Sequence, residues 1–496
     1  MSLSIRTLNP ERLSYGVFWV LAALAAGLAA GVLAPEFFAI LCVVMAVGLC
    51  ALASPLAVVA LMLVIAPLRT LIATESAIQL PLDIGQLTFI LAVGAWMAWR
   101  MLRLRTFRES LRASPVFLAI LLFFIPASLS LFAALMPSAW INEWLKWVQA
   151  LILVALCLDF IRQREWAWLT FALIAAGIPN AIIGIYQYFG GSGALHLIIE
   201  GNRFRAFGTF GQPNPFGGFM GLLAPLAFGA AFGAALSAWS SWRKTRQTPI
   251  QQLSVAFFYL ACGILFAVCV ILSWSRGAWL GLFAGLLAVA VSIPRRWTHS
   301  FLLLLVLLVL GMLLWSFNLL PASIVSRLSS TFEDTFSMTD VRGVDIDPQN
   351  YAVVERLAHW QAALEMTRAN PFFGVGFGNY EAAYADFRLV NWKFSLGHAH
   401  NFYLNVLAET GMIGLFGYSL MWLILFYLAW RARAHPDLQA RGIAVGLLGA
   451  WVYLSTHSLT DNLYVNNLFL HFGIMLGLVA VLYRQMNSGT KVSRFQ

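Results

Sequence analysis

Residues 300–319 read "SFLLLLVLLVLGMLLWSFNL". Twenty residues pass without a charged side chain, which is the length an α-helix needs to cross the ~30 Å hydrocarbon core of a bilayer. Comparable runs recur along the whole chain. They are too long and too uniformly apolar to be the ~10-residue alternating strands of an outer-membrane barrel. Composition agrees: of 496 residues, 61% are hydrophobic and 10% charged, where a soluble domain carries about 25% charged residues. The reading is an all-α, polytopic integral membrane helix bundle with 12–14 transmembrane helices. Fourteen runs qualify, at roughly 15–34, 37–53, 55–69, 84–100, 114–135, 141–160, 166–189, 215–240, 252–273, 278–294, 300–319, 402–429, 442–457 and 466–484. The first run lacks a convincing cleavage site and is expected to be a retained helix, not a signal peptide.

The net charge of +10 invites a nucleic-acid reading, but the charges follow topology. Alternating the spans puts 20 of the 31 basic residues and only 5 of the 21 acidic ones on one side. That is the positive-inside pattern, so this side is cytoplasmic, with both termini. The expected partner is the lipid bilayer, with no nucleic acid. The five cysteines all sit in apolar runs, without metal-like spacing, and read as small buried hydrophobes.

No linker or repeat divides residues 1–496, so one membrane domain is expected. Its large interruption is the extracytoplasmic segment 320–399, and a loop of that length in a compact protein is usually functional. Within it, Val353, Leu357, Trp360 and Leu364 recur at helical spacing until Asn370-Pro371 stop the pattern. A second short helix is expected over Tyr380–Arg388. Tyr380 and Tyr384 are the right type to stack on sugars.

Three polar clusters lie at the outer boundary, where ionisable groups usually face a cavity or a partner. The first, "EGNRFRAFGTFGQPNPFGGFM", residues 200–220, combines Arg203 and Arg205 with a Gly/Pro-rich turn and Asn214, a possible helix cap. Guanidinium groups and a helix N-terminus suit an anion; the plainer alternative is arginines touching lipid headgroups. The second, "SWSRGAWLGL", residues 273–282, places Arg276 between two apolar runs. It reads as a phosphate ligand or as a snorkelling arginine. The third, "GHAHNFYLNVLAETGMIGL", residues 397–415, puts His398, His400 and Asn401 where the long loop returns to the membrane. A neutral imidazole there is a good proton acceptor. Two histidines at i, i+2 could also ligate a metal, but no carboxylate or cysteine flanks them closely in sequence, and no metal or other cofactor is expected. Arg356 and Trp360 on the loop helix, and the polar turn His457, Asp461, Asn462, complete the set.

These residues carry a resemblance. His400-Asn401, nine residues, then Gly411-Met412-Ile413-Gly414 resembles the histidine motif of the bacterial O-antigen ligases and related O-antigen polymerases, the Wzy-C superfamily. "RLAHWQAALEMTRANPFFGVGFGNYEAAY" resembles the same family's loop, with Arg356, Trp360, Pro371, Gly374 and Gly376 in place. "RAFGTFGQPNPFGGF" and "SWSRGAW" resemble its two arginine segments. The likeness spans about residues 203–415, and the combination carries it. It implies a metal-independent, inverting glycosyltransferase at the periplasmic face of the bacterial inner membrane. The donor would be a glycan on undecaprenyl diphosphate. The acceptor hydroxyl would belong to lipid A–core in a ligase, or to a carrier-linked glycan repeat in a polymerase, and the motif spacing leans to ligase. On this reading His400 is the base and Arg205 and Arg276, with Arg203 as the alternative, hold the diphosphate. Asn401, His398, Arg356, Trp360 and Asn214 support the site or the acceptor side. The rival class is a membrane transporter, which predicts inverted repeats and helices broken at the bilayer midplane; neither is visible in the sequence.

Overall fold

The structure, a computed structural model, describes residues 54–75, 83–102, 114–161, 163–191, 197–200, 203–317, 319, 340–346 and 350–492, with the single glycines 27, 31 and 48. The expected spans at roughly 15–34 and 37–53 lie outside the described residues, apart from those glycines.

The fold is helical almost throughout. In chain order the helices are α1 (Pro55–Ile65) and α2 (Arg69–Glu75), joined by a 3₁₀ turn, then α3 (Ile84–Leu102), α4 (Pro115–Leu129), α5 (Pro137–Phe160) and α6 (Trp166–Tyr188). A small antiparallel pair, β1 (Ile198–Glu200) and β2 (Arg203–Phe204), leads to α7 (Pro213–Thr245), α8 (Ile250–Leu272), α9 (Arg276–Ser292) and α10 (Trp297–Ser316). After the long loop's α11 (Tyr351–Ala369) and α12 (Tyr380–Phe387) come α13 (Phe402–Ala432), α14 (Leu438–His457) and α15 (Leu468–Val492). Among the described residues, nine helices are long and apolar enough to cross a membrane, and α3, α9 and α14 fall at three further expected spans. The protein is an all-α polytopic membrane protein, as the apolar runs require.

Local chemistry sets the helix starts. Proline stands at the first position of α4 behind Ser114, whose hydroxyl accepts the Val116 N–H, and likewise in α1 behind Ser54. Asp437 caps α14 by accepting the N–H groups of Gln439 and Ala440 at 2.9 and 3.1 Å. The centre of the bundle is α7 against α14. A Cβ on Gly229 would lie 2.4 Å from the Cα of Gly446, and one on Gly442 would lie 2.4 Å from the Cα of Gly233. Two small-xxx-small pairs therefore let the backbones touch, the device by which helices associate where lipid supplies no hydrophobic drive. At the other extreme α10, which carries residues 300–316 of the charge-free run, is almost wholly unburied, as suits a helix in contact with lipid.

One charge pair is sealed in the bundle. Asp159 on α5 accepts from Arg100 Nη1 at 2.5 Å and from Trp96 Nε1 at 2.8 Å, and both charged side chains are under 5% exposed. Asp159→Ala leaves Arg100 buried without its carboxylate and is expected to destabilise the protein by roughly 3–5 kcal/mol. Thermal unfolding in detergent checks this; an unchanged midpoint would refute it.

The expected span 402–429 is not one straight helix. Gly411 sits at φ 67°, ψ −170°, a conformation open to glycine and forbidden to most residues, and it breaks α13. In a straight helix Phe402 and Tyr418 would be separated by about 24 Å along the axis; here their rings are 5.5 Å apart. Residues 402–410 thus form a separate two-turn segment folded back over the start of the span. The two expected loop helices are present as α11 and α12, the first ending at Asn370. Trp360, Leu357 and Val354 pack with Val341 and Trp392, while Met366, Val375, Tyr380 and Tyr384 pack against Ala399 and Ala408. Glu409, so placed, faces the loop: its carboxylate accepts the Tyr380 N–H at 3.2 Å, and its carbonyl accepts the Gly376 N–H at 3.0 Å.

Candidate functional site

The arginine side is built on the turn between α8 and α9. Arg205 follows β2, whose entry is pinned by the Arg205 N–H to Leu197 O bond at 2.8 Å and the Ala206 N–H to Leu272 O bond at 3.0 Å. Its Nε donates to Ser273 O at 3.1 Å and its Nη2 to Asn214 Oδ1 at 3.3 Å. Trp274, in the left-handed region at φ 54°, turns the chain sharply so that Arg276 opens α9. Arg205 and Arg276 thus share one turn. Arg203 does not join them: it is exposed, with its guanidinium 5.8 Å from the Tyr188 ring centroid. Asn214 is not the expected cap. Gln212 holds that position without a side-chain bond, because the helix starts at Pro213, two residues earlier than an Asn214 cap requires, and Asn214 in the first turn holds Arg205 instead.

The histidine side lies at the N-terminal end of α13 and the C-terminal end of α14. Asn401 caps α13, its Oδ1 accepting the N–H groups of Tyr403 and Leu404 at 3.0 and 3.2 Å. His400, just before it, has φ 53°, a left-handed conformation uncommon outside glycine. Both ring nitrogens of His400 are buried and lack a hydrogen-bond partner among the described residues. Asp461, from the turn between α14 and α15, places Oδ1 3.5 Å from His398 Nε2 and 4.0 Å from His400 Nδ1. The Phe402 N–H bonds Ser458 O at 2.8 Å and fastens the two turns together. The α9 start abuts the same turn: a Cβ on Gly277 would lie 2.7 Å from His457 Cδ2 and 1.9 Å from Thr460 Oγ1. A chain of packed neighbours thus runs from the start of α9, which Arg276 opens, through the buried His457, Thr460 and Asp461 to His398 and His400.

The loop helix α11 covers the histidines. His359 meets His400 edge-on, with ring centroids 5.6 Å apart, and stacks on Tyr384 at 4.8 Å. Arg356 lies near enough to lower the proton affinity of both His398 and His400. Three expectations change here. Trp360 is 2% exposed and builds the loop core, so it does not face an acceptor. Tyr380 and Tyr384 are equally buried, their hydroxyls donating to the carbonyls of His359 and Trp392 at 3.1 Å each; they hold the loop helices together and offer no sugar-stacking face. Sequence spacing gives an amphipathic face but not which of its aromatics remain on the surface.

Burial is the main force holding His400 neutral. His398 and Arg356 add to it, and Asp461 opposes it, leaving the imidazole well below its ordinary range. His359 is pushed down to about 4, by burial first and then by His398. Burial would raise Asp461, but the surrounding histidines and the Asn462 N–H more than offset it, so the carboxyl lies below its usual value. The result is a neutral base beside a carboxylate.

His398, His400 and Asp461 bring two imidazoles and a carboxylate within 4.8 Å of one another, the carboxylate that the linear sequence did not supply. The donor set nevertheless fits a metal poorly. His398 Nδ1 accepts the His400 main-chain N–H at 3.0 Å, so in the neutral ring the hydrogen-bond network assigns the proton to Nε2. The group His398 turns to Asp461 is then a donor, not a lone pair.

Sequence reading singled out neither His359 nor the partnership of Asp461 with the histidines. An ionisable group in a short outer turn was the one available signal for Asp461; its 61-residue separation from His400 hid the pairing.

The comparisons bear on this surface. One solved structure similar to the chain is titled "Structural coordination of polymerization and crosslinking by a peptidoglycan synthase complex"; it shares 16% identity over 76% of this chain and 99% of that one, with a TM-score of 0.40. The search of curated proteins gave no match. Residues 261–419 match the family model Wzy_C, O-antigen ligase, a segment that takes in Arg276, the loop helices α11 and α12, His398 and His400, with Arg203, Arg205 and Asp461 outside it. The resemblance carried by the histidine and loop motifs is thereby borne out: this segment is similar to the O-antigen ligase family.

Proposed function

We propose that this protein is a lipid-carrier-dependent glycosyltransferase. It moves a glycan from undecaprenyl diphosphate to a sugar hydroxyl at the periplasmic face of the bacterial inner membrane, with both termini cytoplasmic. The acceptor is lipid A–core, making the reaction O-antigen ligation. The chain acts as one membrane domain, with the loop helices α11 and α12 as its lid. The observation that carries this reading is His400, a buried imidazole with both nitrogens unpartnered among the described residues, joined through His457, Thr460 and Asp461 to the start of α9 that Arg276 opens.

The chemistry follows from those positions. Arg205 and Arg276 hold the diphosphate and stabilise the charge that grows as the glycosidic C–O bond breaks. The acceptor oxygen attacks the anomeric carbon from the opposite face, so the configuration inverts. Its proton passes to His400, and the imidazolium formed lies 4.0 Å from Asp461 Oδ1, which stabilises it. Undecaprenyl diphosphate leaves as an anion. The lid excludes water, whose attack would waste the donor. No step requires a metal.

The test supplies purified protein with a carrier-linked glycan and two acceptors, lipid A–core and a carrier-linked repeat. Transfer to lipid A–core is expected. Transfer to the repeat alone would make the protein a polymerase; transfer to neither would remove the enzyme reading; dependence on a divalent metal after chelation would overturn the metal-free scheme.

A further inference from the structure

His398 is tied at both ends of its ring. Nδ1 accepts the His400 N–H at 3.0 Å, and Nε2 faces Asp461 Oδ1 at 3.5 Å. The first bond runs from a side chain to the N–H two residues on, the same loop that asparagine closes in an Asx turn. It spans the residue whose backbone must hold a left-handed φ of 53°. The two rings meet edge-on with centroids 4.4 Å apart, so the His398 ring also limits where the His400 imidazole can swing. His400 itself has no side-chain hydrogen bond to fix it among the described residues. Its aim therefore depends on its main chain, and that main chain is latched by His398.

Resting on the assignment of His400 as the base, we propose that His398 is a positioning residue: it clamps the His400 main chain in the left-handed turn and couples that turn to Asp461, without touching substrate. Asp461 Oδ1 lies nearer to His398 than to His400, so the carboxylate anchors the latch while His400 awaits its proton.

The clamp and the Asp461 contact can be separated by substitution. His398→Ala removes both. His398→Asn restores an acceptor for the His400 N–H but is too short to reach Asp461. His398→Leu fills similar volume with no acceptor. In the two-acceptor assay, His398→Ala and His398→Leu are expected to lower kcat by about 100-fold, the scale of a misplaced catalytic group. The KM values for donor and acceptor should change little. His398→Asn should recover at least about tenfold of that loss. Equal rates for the asparagine and leucine variants would overturn the clamp, and this comparison decides even if the alanine variant does not fold. His400→Ala is run alongside. If His400→Ala is inactive while His398→Leu transfers normally, only the positioning role fails; if His400→Ala transfers normally, the assignment of the base fails and takes the latch with it.

Discussion

Replacing His400 by alanine lowers the rate of glycan transfer by about 10²–10⁴-fold, the usual contribution of a positioned general base. The protein should still fold, because among the described residues the His400 ring makes no hydrogen bond that its loss would break, and donor binding through the arginines should persist. His400→Gln should fare no better, since an amide cannot take the proton. The pH dependence gives an independent check. A base works in its neutral form, and burial holds His400 below its ordinary value of about 6.5. Transfer should therefore hold steady as pH falls through 6.5 and decline only at lower pH. Stability has the same sign: a histidine with a depressed folded pKa contributes stability above its unfolded pKa, and that stability is lost as pH falls through the folded value. His359, pushed down to about 4, acts in the same direction. Initial rates between pH 5 and 8 would test this, and an acid limb centred at or above 6.5 would contradict a buried base.

Arg276→Ala is expected to reduce kcat/KM for the donor by about 10- to 100-fold, the scale of a charge-assisted hydrogen bond to phosphate. Arg276→Lys keeps the charge but loses the planar fork and should recover only part of this. Arg205→Ala should lose as much or more. Its guanidinium also binds Ser273 O and Asn214 Oδ1, so its loss loosens the turn that presents Arg276. Arg203→Ala, which removes an exposed cation from the Tyr188 face, should change donor use least. The ranking of the three is the check: if Arg203→Ala proves the most damaging, the diphosphate is bound on the β2 edge and not at the α8–α9 turn.

Much of the architecture was legible because membrane constraints act locally. Every buried backbone group must be satisfied within its own segment, so apolar length marks a span and flanking arginines mark its cytoplasmic end. The break at Gly411 was legible only as a motif glycine. Its φ of 67° and the folding back of residues 402–410 arise from the loop packing against that point: a Cβ there would lie 2.3 Å from the carbonyl carbon of Phe372. Glu409, a misplaced charge while the helix is taken as straight, becomes the anchor of residues 376–380 once the break is seen.

The sequence by itself determined the helical membrane class and the residue types that bound the spans, because hydropathy and charge are properties of each segment alone. It also carried the family motif that separates His400 from His398. Only the tertiary structure decided which of those residues meet. Asp461 reaches His398 and His400 because the turn after α14 is fastened to the start of α13. Arg205 and Arg276 share a turn because the chain just after β2 is bonded to the end of α8, through the Ala206 N–H to Leu272 O and the Arg205 side chain to Ser273 O. Trp360, Tyr380 and Tyr384 withdraw into the lid because its small cores need them. Most of these contacts join residues tens of positions apart in sequence, and helix packing, not local spacing, brings them together.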